Sequence, residues 1–134
     1  MVGNSSGDKM VCLDTSIVIE YLNGDEAIVK LLLSYLREES LSTTSVTEYE
    51  LLKHRSEVKR QEAKEFLSKI KVYYLDDEAS KQSSQIYRDL KAKGKEINEN
   101  DILIAGIAFS KNETVLTRDE DFKHIGETSR IRVL

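Results

Sequence analysis

The 134-residue sequence predicts an α/β fold: a mainly parallel central sheet of four or five strands flanked by helices. Short apolar runs alternate with longer stretches of helical periodicity, the pattern of strands joined by crossover helices. Several helical stretches open on a residue that caps helices, among them Asp25, Ser45 and Asn98. No internal repeat, low-complexity tract or linker interrupts the alternation.

The elements follow in order. Met10-Val11-Cys12-Leu13 is a short apolar run stopped by Asp14, as a buried strand would be. Ser16 to Leu22 reads as a short helix ending at Asn23-Gly24. Asp25 caps a longer helix whose Ile28, Leu31, Leu32, Tyr35 and Leu36 recur at helical spacing, giving it one apolar face. Leu41-Ser42-Thr43 is a weak strand signal. Ser45-Val46-Thr47-Glu48 has capping-box spacing, and Tyr49, Leu51 and Leu52 follow it. A charged helix runs from about Glu57 to Ile70, and Lys71 to Leu75 alternates like a strand. Asp76 starts a long polar helix that ends near Gly94. Asn98 caps Glu99 to Phe109, a helix apolar nearly all round and therefore central. Thr114-Val115-Leu116 is a strand, a helical turn holds Phe122, and Ile131 to Leu134 forms the last strand.

Composition bounds the function. Hydrophobic residues at 40% and charged residues at 33% suit one globular domain, placed at residues 10–134. Residues 1–9 are polar and read as a flexible lead-in rather than a signal peptide, because they lack an apolar core. The single cysteine, Cys12, sits inside an apolar run, which points to a reducing, cytoplasmic setting without disulfides. No stretch approaches the ~20 apolar residues of a membrane span. A net charge of −4 argues against a chain held to nucleic acid by bulk charge alone, although a local basic face is compatible with it.

Candidate chemistry rests on carboxylates at the edges of the predicted elements. Asp14 ends a strand, Glu48 and Asp101 lie in first turns of helices, and Asp119 and Asp121 follow a strand. Each has a bland reading as a capping or helix-start residue. Together the bland reading weakens. In a parallel sheet, residues just after strands meet in one crevice, and unpaired carboxylates gathered there repel unless a cation neutralises them. An all-oxygen site suits a hard divalent cation, Mg²⁺ or Mn²⁺.

These segments resemble a known family. Val11-Cys12-Leu13-Asp14-Thr15-Ser16 is similar to the opening of a PIN domain. Glu48 with Tyr49-Glu50-Leu51-Leu52, Asn100-Asp101-Ile102-Leu103-Ile104-Ala105, and Val115 to Phe122 resemble its later motifs in order. The resemblance spans Met10 to Leu134 and at this size is nearest the VapC group, the toxin ribonucleases of toxin–antitoxin pairs. It implies a Mg²⁺- or Mn²⁺-dependent endoribonuclease, with Asp14, Glu48, Asp101 and Asp119 as the acidic quartet. Asp121 matches a further acid of the metal site, and Ser16 and Thr117 match polar residues that steady it. The metal shell falls mainly to Asp14, Asp101 and Asp119, with Glu48 ligating through water or orienting the attacking water. Ser16 departs from the asparagine often found there, which removes no acid. The implied partners are RNA, a small antitoxin inserting a peptide near the site, and a second copy of the chain as a homodimer.

Other groups were weighed beside these. His54 and His124 are the only histidines, and a metal-independent mechanism would use them as acid and base, but neither has a motif around it. Arg88, Lys91, Lys93 and Lys95 precede Asp101 and read either as RNA-phosphate contacts or as a solvated face. The face of Ile28, Leu31, Leu32, Tyr35 and Leu36 reads first as core and second as a groove wall for an antitoxin helix. Two rival functions stay open: a PIN nuclease of RNA processing without an antitoxin, and a catalytically silent PIN module that only binds.

Overall fold

The computed structural model describes residues 10–126 and 130–134, so the expected lead-in at 1–9 lies outside the described residues. In chain order the elements are β1 (Val11–Leu13), α1 (Thr15–Leu22), α2 (Glu26–Arg37), β2 (Leu41–Thr44), α3 (Ser45–Leu52), α4 (Glu57–Leu67), β3 (Lys71–Tyr73), α5 (Asp77–Ala92), α6 (Glu99–Ser110), β4 (Thr114–Thr117) and β5 (Ile131–Val133). A short 3-10 turn, Glu120–His124, lies between β4 and β5. The strands form one sheet in the order β3-β2-β1-β4-β5, and every neighbouring pair is parallel. The expected fold class is therefore the observed one, with five strands.

Strand alternation divides the core into two layers. Val11, Leu13, Leu41 and Leu116 face one side and pack on residues of α1 to α4, including Ile17, Ile28, Leu32 and Phe66. Cys12, Val115 and Ile131 face the other side and pack on α5 and α6 through Ile86, Leu90, Ala105 and Phe109. The apolar face of α2 belongs to the first layer: Ile28 and Leu32 are buried, and Leu31, Tyr35 and Leu36 pack against them. Core packing takes up Ile28 and Leu32 fully and Leu31, Tyr35 and Leu36 in part.

Local boundaries differ from expectation in three places. The cap of α3 is Thr44, whose hydroxyl accepts from the Thr47 N–H at 3.1 Å, and Ser45 is already helical. The capping-box spacing at Ser45 was thus a coincidence of a chain that passes from β2 into α3 without a loop. The charged helix α4 stops at Leu67 rather than Ile70. β3 stops at Tyr73, leaving Tyr74 70% and Leu75 41% exposed past its end.

Helix α6 earns its central place by being small as well as apolar. A Cβ built on Gly106 would lie 2.8 Å from both the backbone N and the Cβ of Ser83 on α5. The two helices touch there at backbone distance, which only glycine permits. Gly106→Ala is expected to force α5 and α6 apart and lower stability by about 1–3 kcal/mol. A urea melt of the variant at unchanged slope would measure it; because Ser83 backbone is one of the obstacles, adding Ser83→Ala should restore only part of the loss.

The order of the strands places the site. From β1 the chain moves outward to β2 and β3, then returns to add β4 and β5 on the opposite side of β1. The order reverses between β1 and β4, and ligands of open α/β sheets sit at the carboxyl ends of strands at such a point.

Candidate active site

Asp14 and Thr117 stand at the ends of β1 and β4, on the two sides of that reversal. Asp14 is only 2% exposed, and both its carboxylate oxygens accept hydrogen bonds. One accepts from Ser16 Oγ at 2.7 Å and from the Ile17 N–H at 3.0 Å; the other accepts from Thr117 Oγ1 at 2.5 Å. Asp14 is therefore the cap of α1 and a member of the crevice at once, so the bland and functional readings of this residue coincide. The two hydroxyls also stitch the loops together. Ser16 Oγ accepts from the Arg118 N–H at 3.2 Å, and Thr117 Oγ1 accepts from the Asp119 N–H at 2.9 Å. Arg118 adds ion pairs to Glu20 at 3.2 Å and Asp25 at 3.8 Å, tying the end of β4 to the first two helices.

Asp119 caps the 3-10 turn, accepting from the Asp121 N–H at 2.9 Å. Asp101 enters from the first turn of α6. Such a position ordinarily favours a carboxylate through the helix dipole. Here the opposite holds: burial, then the charges of Asp119, Asp14 and Glu50, and a hydrogen bond with Asp119 push the Asp101 carboxyl up to about 7. Burial also raises the Asp14 carboxyl, against its three hydrogen bonds, and the Asp119 charge adds to the rise.

The fourth acid of this cluster is Glu50, which the sequence reading passed over. Glu50 accepts from Thr15 Oγ1 at 2.5 Å and from Asn100 Nδ2 at 3.2 Å, so it is held by the neighbours of Asp14 and Asp101. Thr47, buried beneath it, shares a 3.0 Å hydroxyl contact with Thr15. Glu48 is placed elsewhere. Two residues along a helix are about 200° apart, so Glu48 and Glu50 cannot share a face. Glu48 instead borders a shallow surface hollow with Ser45, Tyr49, Leu52 and Lys53. A signal for Glu50 was present: Thr47, Glu50, Leu51 and His54 follow helical spacing, and the Leu51 side of α3 is the one that packs inward. A cap at Ser45 would instead put Glu48 at the capping-box position.

The remaining candidates fall around the cluster. Asp121 is exposed, one turn beyond Asp119, and lines a groove with Tyr87, Lys91, Lys95 and Asn98. Arg88 borders the adjoining hollow on the far side of Tyr87. Lys93 turns away, donating to the His124 carbonyl at 2.8 Å. His54 lies in a cleft between α1, α3 and α4, where its Nδ1 accepts from the Ser56 N–H at 3.0 Å. It borders no surface in common with His124, which leaves the acid–base pair of histidines without a shared site among the described residues.

The donor set fits a hard divalent cation. All donors are oxygens, and beside the burial that chiefly raises Asp101, the charges of Asp119, Asp14 and Glu50 add a repulsion that such a cation would relieve. Among the described residues no group of three or more His, Cys, Asp or Glu side chains is already arranged to hold a metal ion.

The raised Asp101 carboxyl predicts a pH effect. Its proton is bound more tightly in the folded chain than in the unfolded one, whose carboxyl is near 3.8. The stabilisation is complete below about 3.8 and is lost as pH rises toward about 7. Asp101 is half-buried, so solvent screening reduces the effect to about 1–2 kcal/mol. Melting temperatures in EDTA, compared between the parent and Asp101→Asn from pH 5 to 8, should show the variant gaining on the parent as pH rises. A constant difference would mean that the cluster does not repel.

Comparison with known proteins follows the same architecture. The profile of the PIN domain matches residues 11–128. Ribonuclease VapC1 of Methanocaldococcus jannaschii is 29% identical over 114 residues, 84% of this chain and 78% of that protein. A chain of VapBC2 from Rickettsia felis, crystallised on a promoter DNA fragment, superposes with a TM-score of 0.81 at 21% identity, covering 93% of this chain and 98% of that one. A chain of DNA-bound VapBC from Salmonella typhimurium gives a TM-score of 0.80 at 25% identity, covering 94% and 97%. Among the described residues no helix is long and apolar enough to cross a membrane. With its five-stranded parallel sheet and carboxylates gathered at the reversal of strand order, the chain belongs to the PIN domain family.

Proposed function

We propose that this chain is a metal-dependent endoribonuclease, the toxin of a cytoplasmic toxin–antitoxin pair. The observation that carries the reading is the convergence of Asp14, Glu50, Asp101 and Asp119 at one sheet edge. Its support from relatives is a ribonuclease of similar sequence and two VapBC assemblies of the same fold.

Asp14, Asp101 and Asp119 would hold Mg²⁺ or Mn²⁺, with Asp121 at the rim. When bound, the cation supplies a water of lowered pKa and charge relief on the phosphoryl oxygens. The chain's own part is to fix the carboxylates. Ser16, Thr117 and the Ile17 N–H hold Asp14 in one orientation, so no rotamer search precedes the reaction. Thr15 and Asn100 hold Glu50 beside the same crevice, where it orients the attacking water or accepts its proton. Asp101 near half-protonation is ready to give up its proton when a cation or its ligands arrive.

Control by an antitoxin follows from the surroundings of Glu50. A cleft of about 300 Å³ runs from Glu50 between α1, α3 and α4, with Ile19, Leu22, Leu51 and Ala63 in its walls. An amphipathic helix fits such a cleft, and an arginine at its end would pair with the carboxylates and exclude the cation. Tyr49, 60% exposed, and Tyr74, 70% exposed, supply apolar surface for a homodimer contact.

The test is direct. RNA cleavage by the purified chain should require Mg²⁺ or Mn²⁺ and stop in EDTA. Co-expression with the protein of an adjacent short gene should give a tight, inactive complex, and reversing the charge of that partner's inserted arginine should restore cleavage. Full activity in EDTA would overturn the metal mechanism. A chain that is active, non-toxic and without such a partner would belong to RNA processing.

A further inference from the structure

A groove of about 460 Å³ opens beside the acidic cluster, between the end of α5 and the start of α6. Tyr87, Lys91, Lys95, Asn98 and Asp121 line it, with the carboxylates of Glu96 and Glu99 also on its walls. The sequence builds this arrangement with few residues. Tyr87 and Lys91 are one helical turn apart on α5 and so share a face. Gly94, at φ 69°, then ends the helix, and the Lys95 N–H bonds back to the Leu90 carbonyl at 2.9 Å. That turn brings Lys95 round onto the same groove as Lys91.

Tyr87 is not core. It is 41% exposed, and it borders both this groove and the hollow beyond it that holds Arg88 and Ser84. The Lys91 ammonium lies 5.5 Å from its ring centre. Lys91 also pairs with Glu96, at 3.3 Å, and that glutamate is 86% exposed. A pair so open to water yields readily to a phosphate.

We propose that Tyr87 is a stacking platform for one base of a single-stranded RNA substrate, with Lys91 and Lys95 holding the phosphates between that base and the acidic cluster, and Arg88 holding the strand beyond it. This rests on the ribonuclease reading and deepens it. An exposed aromatic ring beside cations, in a groove that Asp121 also borders, offers unpaired nucleotides a face for the base and charge for the backbone. A duplex keeps its bases stacked inside and cannot use Tyr87. The platform therefore selects single strands. It has no means of reading base identity, because a tyrosine face accepts any base.

The experiment uses the full chain in EDTA, so that nothing is cleaved. A short unstructured oligoribonucleotide carrying a fluorescent label is titrated by anisotropy, alongside the same strand annealed to its complement. Tyr87→Phe should bind like the parent. Tyr87→Leu, which keeps bulk and helix propensity, should weaken single-strand binding by roughly 5- to 150-fold and leave duplex binding unchanged. Lys91→Ala and Lys95→Ala should each reduce the salt dependence by about one phosphate contact. With Mg²⁺ present, Tyr87→Leu should raise KM and spare kcat. Equal binding by Tyr87→Leu and the parent, an equal loss on duplex, or no single-strand binding by the parent would each overturn the proposal. If the parent cleaves RNA and Asp14→Asn does not, while Tyr87→Leu binds normally, only the platform fails. If the parent cleaves no RNA under any divalent metal, the ribonuclease reading fails first.

Discussion

Asp14→Asn and Asp101→Asn are expected to lower RNA cleavage by about 100- to 1,000-fold while leaving the fold intact. The two positions test different things. Asparagine caps helices as well as aspartate does, so Asp14→Asn retains the start of α1. It still accepts from the Ile17 N–H, and the Thr117 hydroxyl can turn to accept from the new amide. What is lost is the negative charge at the reversal of strand order. Asp101→Asn removes a charge that the folded chain carries at a disadvantage, since burial and then the neighbouring acids push the carboxyl up to about 7. Its metal-free melting temperature should therefore rise at neutral pH as activity falls. Loss of activity with gain of stability separates a functional acid from a structural one. Cleavage at parental rates by Asp14→Asn would remove the acidic cluster from the mechanism. A matching fall in melting temperature would reassign Asp101 to structure.

Glu50→Gln is expected to cost about 10- to 100-fold in cleavage, and Glu48→Gln to behave like the parent. The two residues differ by two positions in one short helix, so changes in helix propensity and net charge are the same for both. Only their faces differ. Glu50 is gripped by Thr15 and Asn100 beside the cluster, whereas Glu48 borders the hollow with Tyr49 and Lys53. The glutamine oxygen can still accept from Asn100 Nδ2 while its amide donates to a turned Thr15 hydroxyl, so the loss would report the charge rather than a local collapse. Should Glu48→Gln prove the damaging change, the face of α3 that meets the crevice would have to be the other one. The site as described here would then be wrong.

Much of this protein is legible from its sequence. Strand and helix alternation gives the parallel α/β class, because a strand buried on both faces must be apolar and a crossover helix must be amphipathic. Asp14, Asp101 and Asp119 are recognisable as crevice residues for a related reason: each directly follows a strand or opens a helix, and in a parallel sheet those positions gather at one edge. Ser16 and Thr117 are legible as their companions. Tertiary structure decides what spacing leaves undetermined. Whether Glu48 or Glu50 joins the cluster depends on the rotation of α3. That rotation is fixed by Thr44 capping from within β2 and by Thr47 and Leu51 packing inward. Local sequence cannot fix it, since a one-residue shift of the cap turns every side chain by about 100°. The use of the α2 face is decided the same way: its pattern states that it is buried, and only the sheet shows against what. The cations of α5 are sorted likewise. Lys91 and Lys95 meet across the Gly94 turn, while Lys93 points to His124, a difference set by the helix end rather than by charge. Periodicity fixes which residues turn inward; packing of one element on another fixes where inward leads.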